Sequence, residues 1–204
     1  MNYIKTILIL LTAIFFISCG SDEDITVSGT TDISHIKIDE NNGSARNMYA
    51  TEKLILHSTV YYDDGSSQDA TKSVSWINSD YSKANLTQNL VEPKSGNGDF
   101  FVTASYKEDF NDTVLIHLIG IQKTEIHSYT PITTTGWFDL YLTAYFSETN
   151  ETKTIYKNIV WNSNNDSTIT VTNDIATLYI PHVGDINVTA DILGIHKSII
   201  FNIK

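Results

Sequence analysis

Residues 54–66 read Leu54-Ile55-Leu56-His57-Ser58-Thr59-Val60-Tyr61-Tyr62-Asp63-Asp64-Gly65-Ser66. Leu54, Leu56, Ser58, Val60 and Tyr62 occupy alternate places. Successive side chains of an extended chain point to opposite faces, so this spacing predicts a strand with one buried side. Asp63-Asp64-Gly65-Ser66 then supplies an Asp-Gly hairpin turn, because both residue types tolerate positive φ. The return segment carries Val74 and Trp76. Gly98-Asp99-Phe100, Val102 and Ala104 follow, and Val114, Ile116 and Leu118 end the unit.

The same course runs again about 85 residues later. Phe138, Leu140, Leu142, Ala144 and Phe146 alternate, and Ser147-Glu148-Thr149-Asn150 turns the chain through a loop one residue longer and without glycine. Ile159 and Trp161 match Val74 and Trp76, Gly184-Asp185-Ile186 with Val188 and Ala190 matches 98–104, and Ile199, Phe201 and Ile203 close the copy. A fixed internal period indicates a duplicated unit, and no stretch keeps a helical period. The expected class is all-β, with two tandem sandwiches over 33–119 and 120–204. Expected strands are 33–39, 46–50, 53–62, 70–78, 84–91, 99–106 and 112–119, then 121–128, 137–147, 153–162, 167–172, 175–180, 185–192 and 196–203. Trp76 and Trp161 are assigned to central strands and to the two cores, with a sugar-stacking platform as the alternative. The join Leu118-Ile119-Gly120-Ile121 leaves almost no linker, so a stiff end-to-end arrangement is expected.

The N-terminus carries a different signal. Lys5 precedes an apolar run to Ile17, then Ser18 and the single cysteine, Cys19. The run is shorter than the roughly 20 residues of a membrane-spanning helix and has the layout of a secretory signal. Residues 1–18 therefore read as a signal peptide of the lipoprotein type, with Cys19 lipidated and 19–32 a flexible acidic tether of about 20 Å reach. Gly20 after the cysteine, in place of an inner-membrane aspartate, resembles outer-membrane lipoproteins. Ser21-Asp22-Glu23-Asp24 resembles the tether of surface-exposed ones, with a plain solvated linker as the alternative. With its one thiol lipidated, each sandwich must stand on its hydrophobic core alone.

The formal charge is −11, and loss of Lys5 with the signal makes it one unit more negative. That balance disfavours nucleic acid and anionic lipid headgroups as partners. The duplicated pattern resembles the bacterial immunoglobulin-like domain of group 2 over about 33–204. In the first copy Leu56, Tyr62 to Ser66, Asp69-Ala70-Thr71, Val74-Ser75-Trp76 and Gly98 to Ala104 carry the likeness. In the second, Leu142-Thr143-Ala144, Ile159 to Ser163 and Gly184 to Ala190 do so. The resemblance implies surface stalks, spacers and adhesive modules.

Chemistry-bearing patterns are few. His35, His57, His117, His127, His182 and His196 form no closely spaced ligand pair, and no second cysteine exists for zinc. Asp63, Asp64 and Asp69 lack the oxygen ladder of a calcium loop; Asp32 or Glu125 at the junction stay open as weak calcium ligands. No nucleophile elbow or phosphate loop occurs, so no catalytic residue, metal or cofactor is expected, and the chain is not expected to be an enzyme. Asn-x-Ser/Thr occurs at Asn85, Asn111, Asn150, Asn165 and Asn187. Asn111, Asn150 and Asn187 carry Asp109, Glu148 and Asp185 two residues earlier, which resembles the acidic acceptor site of bacterial glycosylation; Asn111 and Asn150 are expected in turns and Asn187 mid-strand. The expected function is that of a monomeric, lipid-anchored spacer or adhesion module of the outer membrane, facing the surface or the periplasm, with a protein or glycan ligand. The alternatives are a surface carbohydrate-binding lipoprotein, with Tyr61, Tyr81, Tyr106, Phe110 or Trp137 as stacking faces, and an accessory subunit of an envelope complex.

Overall fold

The computed structural model describes residues 31–38 and 46–204. The signal peptide, Cys19 and most of the tether fall outside them. The described residues contain strands and no helix. The first copy comprises β1 (Ile33–Ile38), β2 (Arg46–Tyr49), β3 (Leu54–Ile55), β4 (Ser58–Tyr62), β5 (Ser67–Asp69), β6 (Ser75–Asn78), β7 (Ala84–Thr87), β8 (Leu90–Pro93), β9 (Gly98–Tyr106) and β10 (Phe110–Ile119). The second comprises β11 (Ile121–Ser128), β12 (Gly136–Phe146), β13 (Thr152–Ile155), β14 (Val160–Ser163), β15 (Thr168–Thr172), β16 (Ile175–Ile180), β17 (Gly184–Ile192) and β18 (Ile195–Ile203).

In the second copy one sheet runs β11-β12-β16-β15, with β13 also on β12, and the other runs β14-β17-β18. Those orders are the A-B-E-D and C-F-G sheets of an immunoglobulin-like sandwich. The first copy repeats the plan with its second strand interrupted. β3 pairs with β8 and β8 with β7, while β4 pairs with β1 and β5. Its other sheet is β2-β10-β9-β6, with β2 parallel to β10. The duplication extends to defects: each first strand has a bulge against its partner, at Ile33/His35 and at Ile121/Lys123.

The alternation that defines the strands also builds the cores. Phe100, Val102 and Ala104 of β9 are buried, as are Ile186, Val188 and Ala190 of β17. One core gathers Ile38, Leu56, Val60, Phe100, Ile116 and Leu118. The other gathers Leu140, Leu142, Phe146, Leu178, Ile180 and Ile186.

Several expected strands divide. The expected strand 70–78 contains only β6, since β5 ends before it and residues 71–74 turn the chain, whereas 153–162 divides between β13 and β14. β5 and β13 stay beside β4 and β12, and β6 and β14 lie across the sandwich beside β9 and β17. The expected strand 84–91 is a hairpin, β7 and β8, turned at Gln88 with φ 53°; its counterpart turns at Asn173 and Asp174 with φ 50° and 65°. Segment 53–62 breaks around Leu56, whose backbone N–H donates to Asn89 O at 2.9 Å.

The expectation that Trp76 and Trp161 sit on central strands is corrected. β6 and β14 are edge strands. Both indoles pack against their cores and are half-buried, because the open flank of an edge strand leaves one side of each ring uncovered. They hold equivalent registers opposite Ala104 and Ala190, and Trp76 Nε1–H donates to Thr71 O at 3.1 Å.

A candidate binding site at the junction and on the outer sheet face

The two copies interlock. At the join itself Ala50 N–H donates to Ile119 O at 3.0 Å within the first copy and Ser147 N–H to Gly120 O at 2.9 Å within the second. Tyr49 of β2 meets Phe146 of β12 edge to face, ring centres 4.7 Å apart, and its hydroxyl donates to Glu151. Lys153 sits 3.6 Å from the centre of the Tyr49 ring and pairs with Glu52 at 2.5 Å. Ile121 and Leu193 pack against both cores.

His117 on β10 fastens a second point. Its Nδ1 lies 2.5 Å from Asp99 of β9 and its Nε2 2.6 Å from Glu148, in the turn after β12. Asn97 Nδ2–H donates to the other Glu148 oxygen at 3.1 Å. Hydrogen bonding to Asp99 and then to Glu148 raises His117 above its ordinary value, outweighing partial burial. A raised folded-state value means that this stabilisation is complete below the unfolded value of about 6.5 and is lost as pH rises through the folded one. We expect His117→Gln to lower Tm by a few degrees at about pH 5.5 and by less at about pH 9. An equal loss at both pH values contradicts the assignment.

Beside the junction lies a groove of about 520 Å³, within the range of small-molecule sites. Thr51, Glu52, Lys53, Asn85, Glu92 and Pro93 line one wall. Lys153 to Asn158, with Ile192 and Leu193, line the other. Its lysines face acids: Lys53 pairs with Glu92, Lys153 with Glu52 and Lys157 with Asp174.

Tyr156 carries the groove onto the outer face of the β11-β12-β16-β15 sheet. It is 41% exposed, and its hydroxyl lies 3.1 Å from that of Tyr129, which is 61% exposed. This hydrogen bond raises the Tyr129 phenol above its ordinary value. Tyr129 packs on Tyr141, ring centres 4.8 Å apart, and His127 stacks on Tyr141 at 5.2 Å. Two residues back along β12, Asp139 Oδ1 accepts a hydrogen bond from Thr177 Oγ1–H at 2.8 Å. Two further back, Trp137, 63% exposed, lies against Tyr179 at 4.4 Å. Alternation makes the strip: Trp137, Asp139 and Tyr141 are the outward set of the strand whose inward set is Phe138, Leu140 and Leu142.

Only Trp137 of the five aromatics singled out from the sequence belongs to this strip. Tyr61 stacks on His35 outside the first sandwich, at 4.6 Å, and Tyr81 is exposed in the turn after β6. Tyr106 and Phe110 face each other across β9 and β10 and pack against the core. Sequence reading passed over Tyr129, Tyr141, Tyr156 and Tyr179, although Tyr141 shares Trp137's alternation. The carboxylates near Gly65 act in local turns. Asp64 accepts from Ser66 N–H and Asp69 from Thr71 N–H, each at 2.8 Å; hydrogen bonding by the Ser66 and Thr71 side chains first, and then by these backbone groups, holds both acids below their ordinary values. Glu125 accepts from the Tyr145 hydroxyl at 2.6 Å and pairs with Lys123 at 3.1 Å, which lowers it too. Among the described residues no group of three or more His, Cys, Asp or Glu is placed to hold a metal ion.

The acceptor asparagines differ in access. Asn150 is exposed in the turn between β12 and β13. Asn111 is exposed at the start of β10 and not in the expected turn, because that strand reaches back to pair Phe110 with Tyr106. Asn187 lies mid-strand in β17 and accepts from Ser198 Oγ–H at 2.6 Å.

No family model matches the chain, and no curated protein matches it. Among solved structures it is similar to the surface-layer protein SbsC, domains 4–9, at 11% identity and TM-score 0.36, covering 84% of this chain and 31% of that one. SbsC domains 4 and 5 give 14% and 0.35 over 84% and 98%. A titin tandem of immunoglobulin domains gives 10% and 0.30 over 85% and 97%. The chain spans less than a third of the first two S-layer structures it matches. All these scores lie below 0.5.

Proposed function

We propose that this chain is a non-catalytic adhesion module of the bacterial cell envelope, monomeric and anchored through lipidated Cys19 at the outer membrane, facing outward. Residues 19–32 form its tether, and 33–119 and 120–204 are two sandwiches of the bacterial group 2 kind. One observation carries the adhesion reading. A row of solvent-facing rings, Trp137 to Tyr156, runs into the groove at the junction instead of packing into a core. Exposed aromatics gathered on one face mark a contact surface more often than singly scattered ones do. The interlocked junction also suits a spacer, since it fixes the groove walls against each other. Asn111 and Asn150 are the acceptors that glycosylation would reach first.

The anchor is tested in the native host. The full chain should take up an alkyne-palmitate label and sediment with membranes, whereas Cys19→Ser should lose the label and leave the membrane fraction. A wild-type chain that stays unlabelled and soluble overturns the anchored reading.

A further inference from the structure

We propose that the groove and the ring strip together form a binding site for a neutral oligosaccharide. This rests on the adhesion reading and names its ligand. The whole chain carries −11, and each groove lysine is paired with an acid, Lys157 with Asp174 just outside the lining, so no groove lysine is left to hold an anion. A polar ligand without charge leaves these pairs intact, whereas an anionic one must break an ion pair.

The strip has the chemistry that a pyranose needs. The axial C–H groups of a sugar ring pack on an aromatic face, and its hydroxyls require donors and acceptors nearby. Trp137 presents an open ring at one end and Tyr129 at the other, with the Asp139 carboxylate between them. Residues four apart on a strand are separated by about 13 Å, so Trp137 and Tyr141 frame a short saccharide with Asp139 at its middle. The chain of rings then delivers the ligand past Tyr156 into the groove, where Asn158 and Asn85 supply neutral amides. On Tyr145 of the same face the arrangement differs: Lys123 sits 3.9 Å from the ring centre and covers it.

The test uses the full chain in nonionic detergent, run in native gels containing hydroxyethylcellulose, xyloglucan, galactomannan or pullulan, with alginate as the anionic comparison. At least one neutral polymer should retard the chain. Trp137→Ala should weaken that retardation about tenfold, a change of about 1.4 kcal/mol. Trp137→Phe should restore part of it, and Tyr81→Ala should leave it unchanged. Because Trp137 lies outside both cores, its removal leaves the fold intact, which an unchanged Tm verifies. Retardation by alginate alone, by no polymer, or equally in wild type and Trp137→Ala overturns the proposal. Sedimentation of the chain with whole bacterial envelope fragments separates the two readings. Trp137-dependent sedimentation without polysaccharide binding rejects the saccharide and keeps the adhesion module; neither form of binding rejects both.

Discussion

Gly120→Ala should destabilise the chain by about 3 kcal/mol, the upper range for forcing atoms into filled space. A Cβ at Gly120 would lie 2.1 Å from Gly96 O and 2.8 Å from Gly96 C. Both are backbone atoms, so no side chain can swing aside. Gly120 O also accepts from Ser147 N–H of the second copy at 2.9 Å, so any shift that relieves the clash pulls on that bond. At 2–4 °C per kcal/mol for a protein of this size, Tm should fall by about 8 °C. Gly194→Ala is the informative comparison. Its φ is 79° but nothing lies within 4 Å of the added carbon, so only the dihedral penalty of about 1 kcal/mol applies. A Gly120→Ala loss no greater than that of Gly194→Ala would mean that the close approach is absent in solution.

Phe146→Ala should have a larger effect, about 3–5 kcal/mol and a Tm drop of about 10 °C. Phe146 is 2% exposed and packs in the second core, and Tyr49 of the first copy abuts its ring. Truncation therefore opens a cavity and uncovers the Tyr49 face that Lys153 shares. Phe146→Leu keeps most of the volume and should lose less than half as much. If Tyr49→Ala on its own costs nothing measurable in urea unfolding, the edge-to-face contact is not part of the junction's stability.

The sequence made the strands legible because burial on one face writes an alternation that chain order alone preserves. β11 and β16 match their expected bounds, and β9, β10, β12, β17 and β18 do so within two residues. The crossings between sheets were not legible. Ala70 to Val74 holds neither Gly nor Pro to mark the turn there, and only pairing partners far along the chain show that β5 and β6 belong to opposite sheets. Gln88 hid the β7–β8 turn because it takes positive φ without being glycine, asparagine or aspartate. The edge position of the tryptophans was hidden for the same reason as the crossings, since periodicity reports a face and not a neighbour. His117 carried no local signal at all, as its partners lie 18 and 31 residues away. The ring strip was half legible. Trp137 and Tyr141 share one strand's outward face, whereas Tyr179, Tyr129 and Tyr156 join them only through strand pairing and loop packing.

The central claim is that these rings form one contact surface. Hydroxyl-radical footprinting of the full chain, with and without the retarding polysaccharide, tests it most directly. The account predicts that Trp137, Tyr129, Tyr141 and Tyr156 become protected together while Tyr61 and Tyr81 keep their reactivity. Protection of Tyr61 or Tyr81 with the strip left unchanged would contradict it.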